Sequence, residues 1–139
     1  MRVLLDRKIA GRRAEVEGDT LHLAIVPKGD ARLVGDCVLT ITSGPHRQGE
    51  IGFVVHPDHQ GKGYATEAAS TLLRIAFQDL GLHRVVGRLE ARNAASARVL
   101  EKLGMREEAH LVENEWVKDE WQSERVYAML DREWPTERA

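Results

Sequence analysis

The stretch from Glu50 to Leu80, EIGFVVHPDHQGKGYATEAASTLLRIAFQDL, constrains this chain more than any other. Ile51 to Val55 is a short apolar run that reads as a strand. A turn rich in proline and glycine follows it, and then a long amphipathic segment. Ala65, Ala68, Ala69, Leu72, Ala76 and Leu80 recur at helical spacing, with Glu67, Ser70, Thr71, Arg74 and Gln78 between them. One apolar stripe is therefore available to lie against a sheet.

The turn itself, Gln60, Gly61, Lys62, Gly63, Tyr64 and Ala65, carries little side-chain bulk at the point where the helix begins. The first N–H groups of a helix have no intrahelical acceptor, and the macrodipole adds partial positive charge to them. Glycines allow an anion to reach the main chain, so such an end suits a phosphate. Neither the Walker pattern nor the three spaced glycines of the dinucleotide fingerprint is present.

The residues do resemble the pyrophosphate-binding turn of the GNAT N-acetyltransferase superfamily, in which Gln or Arg is followed by two residues, Gly, one residue, and Gly or Ala. Gln60, Gly63 and Ala65 fill these places. His56-Pro57 is similar to the strand exit of that family, and Arg92 to Met105, RNAASARVLEKLGM, to its second signature, where Asn and Ser open a short helix that ends in Gly. Glu115 to Trp121 and Tyr127 to Trp134 resemble the branch that acetylates N-terminal residues of ribosomal proteins. That branch tends to carry Asp two residues after the Trp of the last hairpin, where this chain has Ser123.

Apolar residues make up 42% of the 139, enough for one core and one domain over 1–139. A formal net charge of -2 supplies no basic field, so nucleic acid is not an expected partner. The six histidines lack paired metal-ligand spacing, and the single Cys37 excludes an internal disulfide, so no metal is expected. The first residues, MRVLLDRKIAGRR, do not form the apolar run of a secretion signal, and no stretch is long enough to span a bilayer. The expectation is a soluble cytoplasmic protein without a membrane partner.

In chain order, Met1 to Arg13 is basic and weakly amphipathic and reads as a solvated terminal helix. Leu21, Leu23 and Ile25 alternate with His22, Ala24 and Val26 as a strand closed by the turn Pro27-Lys28-Gly29-Asp30. Leu33 to Ile41 is the next strand, with Cys37, Leu39 and Ile41 on one face. A strand over His83 to Glu90, a short helix and two final strands complete an α/β (α+β) layer. The resemblance implies a GNAT-like, mixed and mostly antiparallel sheet flanked by helices, its first strand and helix reduced or missing. An open acceptor groove, a second subunit or a start at an internal methionine are the three ways to read that. A sheet edge left bare by a missing strand favours a homodimer.

Acetyl transfer to an amine needs a held thioester, a neutral amine, a donor for the oxyanion and a proton for the thiolate. By resemblance, Gln60 to Ala65 hold the pyrophosphate of acetyl-CoA. Phe53, Val54 and Val55 present main chain to its pantetheine arm, and an N–H around Val54 or Val55 is the oxyanion donor. Lys62 is either a rim charge or a solvated lysine. Asn93 suits the N-cap of the short helix and, by resemblance, also contacts pantetheine. Ser96, one helical turn on, is either a proton donor to sulfur or a surface residue. Tyr127, which shares a strand face with Arg125 and Met129, is a second acid candidate or simply packing. Glu50 matches the place of a family base working through water; from its position alone it reads as a solvated strand-end carboxylate. Glu113, Glu115, Asp119 and Glu120, opposed only by Lys118, would favour a cationic amine if they line the acceptor groove.

The leading expectation is thus an acetyl-CoA-dependent N-acetyltransferase acting by direct transfer on a peptide N-terminus or a small cationic amine. The alternatives are a non-catalytic acyl-CoA-binding protein lacking a complete acceptor site and, third, a nucleotide-phosphate binder.

Overall fold

The computed structural model describes residues 3–10, 17–27, 29 and 32–135. Seven strands form one sheet: β1 (Val3–Ala10), β2 (Thr20–Pro27), β3 (Gly35–Ser43), β4 (Gln48–Val55), β5 (Arg84–Glu90), β6 (Arg106–Val117) and β7 (Glu120–Leu130). Their order is β1-β2-β3-β4-β5-β7-β6, and every neighbouring pair is antiparallel except β4 and β5. The parallel step is forced by the crossover: α1 (Tyr64–Arg74) carries the chain from the end of β4 back to the start of β5. The short α2 (Ala94–Lys102) links β5 to the β6–β7 hairpin.

Ala68, Ala69, Leu72, Leu73 and Ala76 are all fully buried, so the stripe read from the sequence is the face that meets the sheet, with Leu73 widening it. They pack with Leu21, Leu23 and Ile25 of β2, Cys37, Leu39 and Ile41 of β3, and Ile51 and Val55 of β4. Alternation in each strand sends these residues to one face. Leu100 of α2 joins the same side: its Cδ1 lies 2.9 Å from where a Cβ on Gly87 would stand, so β5 accepts the helix at a position without a side chain. After Arg74 the helix widens into a π segment (Ile75–Asp79), closed by Leu80 N–H donating to the Ile75 carbonyl (2.9 Å).

The mixed, mostly antiparallel sheet flanked by helices agrees with the expectation, but its N-terminal end does not. The segment read as a solvated helix contains β1, paired with β2 over eight residues from Val3↔Pro27 to Ala10↔Thr20. A strand therefore occupies the place that was expected to be reduced or missing, and β2 is not a bare edge. Only nine residues connect Ala10 to Thr20, and no helix occurs among the described ones. Lys28 and Asp30 of the expected turn after β2 lie outside the described residues. No helix among the described residues is long and apolar enough to cross a membrane.

Cys37 is buried in β3, and burial, reinforced by the charge of Asp36, pushes its thiol pKa up to about 12. A thiol reagent at neutral pH is expected to react with the native protein only at the rate of unfolding. Rapid labelling under native conditions would show that β3 is not packed this way.

Candidate functional site

The site begins where the sheet comes apart. β4 and β5 are paired from Gln48↔Arg84 to Ile51↔Gly87 and no further. β4 continues to Val55 against β3, and β5 continues to Glu90 against β7, which leaves a fork between them. His56 N–H donates to the Val34 carbonyl (2.7 Å), so by alternation the main chain of Val54 also turns toward β3. Phe53 and Val55 consequently aim their main-chain groups into the fork. Of the two oxyanion donors expected from sequence, this geometry leaves Val55.

The glycine turn stands at the mouth of the fork. Pro57–His59 form one 3₁₀ turn, with His56 Nδ1 accepting from Asp58 N–H (3.2 Å). The Gln60 amide Nε2 donates to the Val55 carbonyl (3.0 Å), which ties the turn to the end of β4. Gly63 has φ +84° and caps α1 in the left-handed region, a conformation other residues adopt only with strain. The first intrahelical bond runs from Glu67 N–H to the Gly63 carbonyl (3.0 Å), so the N–H groups ahead of Glu67 are left to an external acceptor.

Fork, turn and α2 enclose a cavity of about 420 Å³. Of the residues singled out for the coenzyme, Phe53, Val54, Val55, Gln60, Gly61, Gly63, Tyr64, Ala65, Asn93 and Ser96 line it, and Lys62 does not. Sequence reasoning missed His59, Arg98 and Lys102, which also line it. The available signal was the spacing of Ala95, Arg98, Val99 and Lys102 along one helix face. Asn93 is the N-cap of α2, its Oδ1 accepting from Ser96 N–H (3.1 Å), so one residue both starts the helix and faces the cavity.

Tyr127 and Glu50 are placed elsewhere. The Tyr127 hydroxyl lies toward α2, where it donates to Glu101 Oε2 (2.6 Å) and accepts from Arg125 Nη2 (2.5 Å). Burial, and then the Glu101 carboxylate, push its pKa up to about 12, and it does not line the cavity. Glu50 sits on the opposite sheet face from α1 and α2, one residue before the last β4–β5 rung, with Arg88 Nε at 3.3 Å. Arg88 also reaches Glu124 (3.0 Å).

The acidic hairpin is opposed by more than Lys118. Glu120 pairs with Arg92 (2.7 Å), and the Ser123 hydroxyl accepts from Glu113 N–H (2.8 Å) at an irregularity in the β6–β7 register. Glu115 lies beside Glu124, and sharing a hydrogen bond with that like charge raises its pKa. A raised folded pKa stabilises the fold below the unfolded value, about 4.3, and this contribution is lost as pH rises through the folded pKa. Glu115→Gln is therefore expected to raise the thermal midpoint at pH 7 and to give no gain at pH 4. Equal shifts at both pH values would exclude the repulsion from Glu124. No group of three or more His, Cys, Asp or Glu that could hold a metal occurs among the described residues.

A parallel sheet step that forks, a glycine turn at its mouth and a capped helix across it define a mixed α/β domain with one groove at the fork. The chain belongs to the acetyltransferase (GNAT) domain family, whose pattern matches residues 4–106. It is 36% identical over 110 residues to the Uncharacterized N-acetyltransferase YnaD of Bacillus subtilis (strain 168), covering 79% of this chain and 64% of that protein. It is 29% identical over 109 residues to the Spermidine N(1)-acetyltransferase of Vibrio cholerae serotype O1, covering 78% and 63%. A GNAT-family acetyltransferase crystal structure from Bacillus anthracis superposes with TM-score 0.75 at 37% identity, covering 81% of this chain and 67% of that one. The chain thus spans just under two thirds of the length of the two curated relatives.

Proposed function

We propose that this chain, acting as one domain over 1–139, is an N-acetyltransferase that moves an acetyl group from acetyl-CoA directly to a primary amine, with no metal. One observation carries the reading: the fork between β4 and β5 opens at the glycine turn, so a single cavity offers strand main chain at one end and unpaired helix N–H groups at the other. An elongated ligand with a diphosphate in its middle and an amide-rich arm matches those two surfaces. Acetyl-CoA supplies the activated thioester. In this reading the N–H groups of Gly63, Tyr64 and Ala65 hold the diphosphate, with Gly61 leaving room for it. Phe53 and Val55 hold the arm, and Val55 N–H stabilises the oxyanion. As the C–N bond forms and the C–S bond breaks, Ser96, with Asn93 behind it, gives its proton to the departing sulfur and takes one back from the acylated nitrogen. Tyr127 keeps α2 in place through Glu101.

The acceptor enters from the opposite sheet face, where Glu50 stands next to the fork and takes a proton from the ammonium through water. Glu115 and Glu124 add negative charge on that side, which favours a small cationic amine or a peptide N-terminus. The Vibrio relative is named for a cationic amine, spermidine. Placement in the ribosomal-protein branch is supported by the two C-terminal stretches and by a relative, 31% identical over 109 residues, named Putative ribosomal N-acetyltransferase YdaF of Bacillus subtilis, while Ser123, engaged with Glu113 N–H, departs from it. We further assign the protein to the cytoplasm, where the coenzyme is supplied, and to a homodimer. The dimer's support is β6, exposed at the sheet edge along most of its length, with Val112 and Trp116 bare.

One observation favours a second reading, an acyl-CoA-binding protein without a complete acceptor site: only nine residues separate β1 from β2, few to build an acceptor wall from. Thiol release from acetyl-CoA on adding spermidine, other amines and short peptides separates the two. Amine-dependent release supports transfer. Tight acetyl-CoA binding with no release by any amine supports the second reading.

A further inference from the structure

The charged side chains that line the cavity are Arg98 and Lys102, with the imidazole of His59 beside the turn, and no carboxylate lines it. This is a local reversal in a chain with 22 acidic and 20 basic residues. Elsewhere in the fold arginines are spent on carboxylates: Arg84 on Glu108, Arg92 on Glu120, Arg106 on Glu133. Arg98 and Lys102 have no ion-pair partner among the described residues. The neighbouring Glu101 projects to the other side of α2, where Tyr127 donates to it. Four residues apart, Arg98 and Lys102 lie on one helix face, about one and a half and two and a half turns past Asn93, and so form a cationic wall of the cavity.

Two separate anion sites in one groove call for a ligand with two separate anionic groups. The N–H groups at the start of α1 suit a diphosphate. An unpaired guanidinium and ammonium suit a terminal phosphate monoester, which carries more charge and is open on three oxygens. Resting on the donor-groove reading above, we infer that Arg98 and Lys102 bind the 3′-phosphate on the coenzyme's ribose. They make this chain selective for CoA over its 3′-dephospho form. The contacts are solvent-exposed, so the selectivity is about tenfold, and it falls with added salt.

Calorimetric titration of the full chain with CoA and with 3′-dephospho-CoA tests this. The wild type is expected to bind CoA about tenfold more tightly. In the double variant Arg98→Gln, Lys102→Gln, CoA affinity should drop to that of dephospho-CoA, while dephospho-CoA affinity stays unchanged. Equal binding of both ligands by the wild type overturns the inference and leaves the donor groove standing, as does an equal loss for both ligands in the variant. Binding of neither ligand by the wild type overturns the donor groove itself, and the inference with it.

Discussion

Replacing Gly63 by glutamate is expected to weaken acetyl-CoA binding by roughly a hundredfold or more, about 2.7 kcal/mol, while leaving the protein folded. Two effects combine at this position. With φ at +84°, any side chain puts Cβ in the left-handed region at a cost of about 1–2 kcal/mol, so the turn relaxes and its N–H groups lose their common aim. The new carboxylate also lies at the start of α1, where it competes for the same donors and repels a diphosphate. The fold tolerates the change because a negative charge at a helix N-terminus stabilises it by about 0.3–1 kcal/mol, which offsets part of the strain. Gly63→Ala separates the two effects, since it carries strain without charge and should lose only about tenfold. Titration calorimetry, with circular dichroism to verify folding, measures both. Wild-type affinity in the glutamate variant would remove the turn from the binding site.

How much of this was legible beforehand depends on the sequence distance over which each feature is made. The turn from Gln60 to Ala65 and the Asn93 cap are local, written in residue types whose conformational preferences act within a few positions. The buried faces of β2 and β3 follow from period-two alternation. β1 was misread because Val3, Leu4, Leu5 and Ile9 alternate poorly among charges. What makes it a strand is pairing with Thr20–Pro27, and no local propensity encodes that partner. The π segment after Arg74 adds a residue to the helical turn that a 3.6-residue period does not anticipate. At the site, Tyr127 reads as an acid candidate until its partner Glu101, 26 residues away, is in view. Arg98 and Lys102 stand inside the short-helix signature with no role of their own until α2 is laid across the fork. Except for the π segment, which is local, the missing information is a contact between segments distant in sequence.

Gly35 ties the fold to the groove in a way that a single substitution should expose. It opens β3 directly opposite Val55, and a Cβ built there runs into backbone: the Val54 carbonyl oxygen lies well inside contact distance, with Val55 Cα at 3.0 Å and Val54 C at 3.1 Å. A side chain in that position could swing aside, but these atoms cannot move without carrying the strand. Gly35→Ala is therefore expected to cost about 3 kcal/mol, the upper end of the range for overpacking, as a lowered midpoint in urea. Gly52, on the neighbouring strand of the same sheet, is the internal control. A Cβ there meets only the end of the Val38 side chain, at 3.4 Å, an ordinary contact, so Gly52→Ala should stay within about 1 kcal/mol. Because the displaced residues are Val54 and Val55, the Gly35 variant should also lose acetyl-CoA affinity at temperatures where it remains folded. Equal costs at the two glycines would mean that β3 and β4 do not approach as closely as described. A stability loss at Gly35 with unchanged affinity would mean that the end of β4 does not hold the coenzyme.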